Sequence, residues 1–306
     1  MPATFAALPA VLPVALTVLI GYGARRSGIV PASLWQGVEI FCYRVLFPAI
    51  MLVSVYHADL GWSRIGPFGT ALLLTTAAAA LVVLALRRIL ALPDPRFTTL
   101  FQTVTRWNAF IALALATQLT GPKGIGLISV AMAFLIPVVN VVNVLVMSIW
   151  GSGKAGIFGM IKAILSKPII PGCAAGLALN LGGIPLPRAA DNALGSIGAA
   201  AIPVSLIIVG AGIQIDRLWS LSLPLIAAVT LRLIAMPCLF WLVARWMGLA
   251  PELVVAGVLA CAVPTAANGY LVARQMGGDA DLYADILTWQ TVLALLSIPF
   301  ILSLLT

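Results

Sequence analysis

Apolar residues fill this chain in long runs, and polar residues collect between the runs or in a few short islands inside them. A helix that crosses a bilayer needs about 20 largely apolar residues. That window predicts ten spans, at 6 to 24, 33 to 56, 66 to 87, 97 to 119, 124 to 150, 164 to 183, 190 to 214, 222 to 246, 251 to 273 and 282 to 305, joined by short connections. The most marked interruption falls in the ninth window, at Ala262-Val263-Pro264-Thr265-Ala266-Ala267-Asn268-Gly269-Tyr270. Pro264 removes a backbone donor and crowds the preceding turn, Gly269 weakens the helix, and Thr265 and Asn268 bring hydrogen-bonding groups to membrane depth. A membrane tolerates such a break only where it lines a cavity or is buried in protein.

Composition supports an all-α polytopic membrane protein. Of 306 residues, 62% are hydrophobic and 8% charged, with mean hydropathy +1.13, against roughly 25% charged in a soluble domain. The net charge of +8 does not point to nucleic acid, because the basic residues are scattered in ones and twos without aromatic interleaving. They read as topology determinants. Loops after odd-numbered spans carry ten Lys and Arg and loops after even-numbered spans carry four, so the odd loops are expected in the cytoplasm and both termini outside. Residues 1 to 10 lack the basic region of a secretory signal, and the first run is expected to be retained. Cys42, Cys173, Cys238 and Cys261 lie in apolar runs without metal-like spacing and read as small buried hydrophobes.

The Gly-rich, basic stretch 151 to 163 reads as a cytoplasmic linker between a first five-helix half, 1 to 150, and a second, 164 to 306. Five spans per half force opposite orientations, so homologous halves would form an inverted repeat. Pro48 in the second span and Pro203 in the seventh sit at matching places.

The fourth span holds Thr105-Arg106-Trp107-Asn108. An arginine at depth costs roughly 3 kcal/mol on insertion scales and is a functional hypothesis by default; the alternatives are snorkelling to the cytoplasm or capping of neighbouring carbonyls. Asn108 and Asn268 occupy corresponding places and can orient a carboxylate, or serve as interhelical amide glue. If both helices break and cross there, the half-helix N-termini would direct positive dipole ends at one point and favour an anion. Asn140 and Asn143 share one face of the fifth span, and Gln290, within Thr288-Trp289-Gln290-Thr291, is their counterpart in the tenth. These either line the same cavity or pack helices. Other polar residues take plainer readings: Glu39 as interfacial, Arg232 as bonded to a carbonyl, Asp285 as part of the cytoplasmic rim, His57 as a surface residue. The glycine pairs 21 and 23, 172 and 176, 195 and 198, and 210 and 212 are expected where helices pack closely. Gly277-Gly278-Asp279 reads as a turn. No HExxH, GxSxG or His cluster is present, so no catalytic residue, metal site or cofactor is expected, and a membrane enzyme or receptor is the second hypothesis.

Taken in order, Arg106-Trp107-Asn108, Ile136-Pro137-Val138-Val139-Asn140, Lys167-Pro168-Ile169-Ile170, Ala200-Ala201-Ile202-Pro203, Val263-Pro264-Thr265-Ala266-Ala267-Asn268, Ala273-Arg274-Gln275-Met276-Gly277-Gly278-Asp279 and Thr288-Trp289-Gln290-Thr291 resemble the auxin efflux carrier family in its bacterial branch. The resemblance covers nearly the whole chain. It implies ten helices in two inverted five-helix repeats, a fold related to the bile-acid/sodium symporters. Helices four and nine would be broken and crossing, within a transport domain that moves as an elevator against a scaffold of helices one, two, six and seven. It implies a secondary transporter of a small organic anion, auxin-like or a mono- or dicarboxylate, in a bacterial inner membrane. Asn108, Pro264 and Asn268 would line the substrate site by resemblance, with Arg106, Thr265, Asn140, Asn143 and Gln290 added from the reading of the residues. Na+ or H+ as coupling ion, and a second copy docked through the scaffold, stay open. Plant members carry a proline at both crossings, whereas Thr105 to Ile111 here has none.

Overall fold

A computed structural model describes residues 8–57, 62–151, 169–219 and 221–305. They form helices joined by short connections, with no strand among them. In chain order these are α1 (Leu8–Arg26), α2 (Trp35–Tyr56), α3 (Trp62–Ile89), α4a (Asp94–Thr105), α4b (Ala109–Thr120), α5 (Pro122–Trp150), α6 (Ile169–Leu181), α7 (Arg188–Gly212), α8 (Leu223–Trp246), α9a (Pro251–Ala262), α9b (Gly269–Met276) and α10 (Ala280–Leu305). Six of them, α2, α3, α5, α7, α8 and α10, are long and apolar enough to cross a membrane, which indicates a multi-pass membrane protein. From residue 152 onward the predicted linker lies outside the described residues, as do 164 to 168 of the sixth window and the side chain of Cys173.

Two long helices absorb internal prolines without breaking. Pro48 and Pro237 each follow a π turn, at Cys42–Leu46 in α2 and Leu231–Ala235 in α8. A proline ring collides with the carbonyl four residues earlier. That carbonyl belongs to Arg44 in one case and Leu233 in the other, both inside the widened turn, which gives the ring room.

The helices pack in two groups. α1 lies along α7, and α2 packs on α6 and α7; α3, α4a, α4b, α5, α8, α9a, α9b and α10 pack among themselves. The groups meet where α4b touches α7 and α1, where α2 touches α5 and where α1 touches α10. Close approach within the first group rests on glycine. A Cβ at Gly21 or Gly210 would overlap backbone across the α1–α7 contact, and one at Gly172, Gly176 or Gly198 would overlap the backbone of α2. Gly23, Gly195 and Gly212 face open space instead. Only part of the predicted small-residue pairs therefore carries packing: residues two apart, as in 21 and 23 or 210 and 212, present different sides of a helix, and of 195 and 198 only Gly198 meets α2.

At the end where α9b meets α10, Gly277 takes a left-handed conformation and Gly278 N donates to Ala273 O at 2.8 Å, closing the turn. Ion pairs gather here. Arg217, on the short turn Ile215–Trp219, bonds Asp281 at 3.0 Å and Asp285 at 2.8 Å, and Arg96 lies 3.6 Å from Asp279. Asp285 thus sits in a polar rim. His57 is an exposed residue paired with Asp191 at 3.1 Å.

Candidate functional site

α4a stops at Thr105 without a proline. Arg106 is extended, with φ −73° and ψ 149°. Asn108 then restarts the helix by capping α4b, its side chain accepting from Phe110 N at 3.2 Å and Ile111 N at 3.3 Å. In the other half α9a ends at Ala262, Val263 is extended, and α9b begins at Gly269. The two breaks touch: Asn108 N donates to Pro264 O at 2.7 Å.

Breaking two helices in an apolar interior exposes carbonyls at the ends of α4a and α9a, and the negative ends of both helix dipoles converge there. Arg232 of α8, fully buried, answers both. Its Nε donates to Val263 O at 2.8 Å, Nη1 to Val104 O at 3.2 Å and Nη2 to Ala260 O at 2.8 Å. The expectation that Arg232 bonds carbonyls is met, and its role is to hold the breaks. Gln290 of α10 adds a second clamp, accepting from Thr265 N at 2.9 Å and donating to Thr103 O at 3.3 Å and Ala228 O at 3.0 Å. Tyr283 completes it, its hydroxyl donating to Ala266 O at 2.6 Å and lying 2.9 Å from Thr265 Oγ1.

Beside the touching breaks lies a cavity of about 100 Å³. It brings together Arg106, Asn108, Asn140 and Asn268 of the predicted site. Pro264, Thr265, Asn143 and Gln290 do not line it. Pro264 offers its carbonyl to Asn108, Thr265 and Gln290 bond each other, and Asn143 donates to Thr105 Oγ1 at 2.9 Å and Val139 O at 2.7 Å, fastening α5 to α4a. All four belong to the supporting framework in this geometry.

Arg106 is 5% exposed. Its Nε donates to Gln102 Oε1 and its Nη1 to Asn140 Oδ1, each at 3.1 Å. Both acceptors are neutral amides, and among the described residues no carboxylate forms an ion pair with Arg106. The side chain turns into the cavity wall rather than toward solvent, so it does not snorkel. An unpaired charge out of water is costly, and an anion in the cavity would offset that cost. Asn268, exposed, makes no side-chain cap bond to α9b.

The remaining wall is mostly apolar, including Phe47, Trp107, Phe110 and Ile136, but α2 adds Glu39 and Tyr43. Glu39, Tyr43 and Phe47 are four apart and share one helix face, a periodicity present in the sequence that the interfacial reading of Glu39 passed over. Gln102, one turn before Arg106, was equally readable as its partner.

A second cavity, of about 610 Å³, lies toward the opposite end of α2 from Glu39, with Ser54, His57, Thr120, Lys123 and Glu252 among its lining. Among the described residues no group of His, Cys, Asp and Glu could hold a metal ion.

In comparisons with known proteins, no curated protein matches the chain. Its residues 155–302 match the family model described as membrane transport protein, so the second half of the chain is similar to that family.

Proposed function

We propose that the chain is a secondary transporter of a small organic anion in a bacterial inner membrane, with both termini outside the cytoplasm. The observation that carries the reading is Arg106: a buried guanidinium on the wall of a cavity, held by two neutral amides, at the point where two broken helices touch. In this reading the anion's carboxylate lies against Arg106, and Asn108, Asn140 and Asn268 orient it. Pro264, Thr265, Asn143 and Gln290 act one layer out, by keeping the breaks open.

The chain forms ten membrane-crossing units in two inverted five-helix repeats, with α4a/α4b and α9a/α9b as the equivalent broken pair. α1, α2, α6 and α7 are the scaffold and the rest the transport domain. The separation of the packing into these two groups supports the division. Elevator-like sliding of the second group along the first would expose the anion to each side in turn. Na+ or H+ coupling is the alternative to uniport, and a second copy would dock on the scaffold face.

The test is uptake of labelled mono- and dicarboxylates by proteoliposomes holding the full chain. Saturable flux of at least one carboxylate, lost in Arg106→Gln, is the expected result. No saturable flux for any organic anion would contradict the proposal.

A further inference from the structure

The cavity carries two charges of opposite sign. Arg106 lines it from the break in helix four and Glu39 from α2. Neither takes part in an ion pair among the described residues: Arg106 meets only the neutral amides of Gln102 and Asn140, and the Glu39 side chain makes no hydrogen bond there. Tyr43, one turn on from Glu39, and Cys42 are the other titratable groups that face the cavity, while the α7 wall adjoining them is aliphatic, with Ile208 and Val209.

Charge balance then selects among small organic anions. A monocarboxylate satisfies Arg106 and leaves Glu39 facing apolar surface. A dicarboxylate does worse, because its second carboxylate must sit in the same small cavity as the Glu39 carboxylate, and like charges repel strongly away from water. A ligand with a carboxylate at one end and an N–H or O–H donor at the other satisfies both walls, and a hydrogen bond to a charged group is among the stronger ones. We infer that the substrate of this site is a monocarboxylate bearing a hydrogen-bond donor at its far end, and that Glu39 is the specificity residue that reads the donor and rejects dicarboxylates. The inference rests on the anion-carrier reading above and narrows it.

Four probes of one chain length separate the cases: butyrate, its terminal-hydroxy and terminal-amino derivatives, and succinate. Their binding to the full chain in lipid nanodiscs is measured by calorimetry at neutral pH. The hydroxy and amino acids are expected to bind about tenfold more tightly than butyrate, by the usual strength of a hydrogen bond to a charged group, with succinate the weakest. Glu39→Gln should remove the disadvantage of succinate, and Glu39→Asp should keep the wild-type order. Equal affinity for all four in the wild type, succinate as the tightest, or an order unchanged in Glu39→Gln would overturn the inference while leaving the carrier reading intact. Binding of none of the four, together with no carboxylate flux, would remove the carrier reading and this inference with it.

Discussion

The backbone N–H of Asn108 donates to the carbonyl of Pro264 at 2.7 Å, across 156 positions of sequence, and so joins the two helix breaks directly. The same asparagine caps α4b with its side chain. One residue thus ends the interruption of helix four and fixes it to the interruption of helix nine.

Asn108→Ala should keep the backbone contact and lose the cap, costing about 1 kcal/mol, the usual value of an N-cap asparagine. Asn108→Ser should restore most of it. Thermal unfolding of the purified variants checks the ranking, and equal stability of all three would show that the cap contributes nothing.

How far this arrangement was legible from the sequence differs between the two breaks. The ninth helix announces its break through Pro264 and Gly269, and helices lie in each predicted window. The fourth has no proline, and its break depends on Asn108 capping forward while donating across to Pro264, a tertiary contact that no local pattern contains. Which polar residues enter the cavity was legible for Arg106, Asn108, Asn140 and Asn268. It failed for Asn143, although it lies three residues from Asn140, because a shared helix face is wide enough for one amide to meet the cavity and the next to meet Thr105. Gln290 and Arg232 carry groups that could bind an anion as easily as carbonyls, and only the position of the helix ends decides between them.

The two membrane arginines should therefore behave differently. Arg232→Met leaves the carbonyls of Val104, Ala260 and Val263 without a donor, and each buried unsatisfied group costs roughly 1–3 kcal/mol. Little folded protein is expected from it. Arg106→Gln leaves only neutral amides behind and should yield folded protein at near wild-type levels. Size-exclusion profiles and melting temperatures of both variants test this, and a well-folded Arg232→Met would contradict the clamp.

The glycines supply a paired test of the α1–α7 contact. Gly210→Val places a side chain against the backbone of Val18, whereas Gly212→Val meets open space. Overpacking of a close contact costs about 1–3 kcal/mol or more, and only a few tenths are expected at the open position. Equal melting temperatures for the two variants would place the close contact elsewhere.

The central claim is that Arg106 binds a carboxylate in the cavity beside the touching breaks. It is tested most directly by comparing the affinity of a transported carboxylate with that of its uncharged amide, in the wild type and in Arg106→Gln. The wild type should prefer the carboxylate by at least about tenfold, in keeping with a charge-assisted hydrogen bond, and Arg106→Gln should bind the two equally. A full preference for the carboxylate in folded Arg106→Gln would contradict the account.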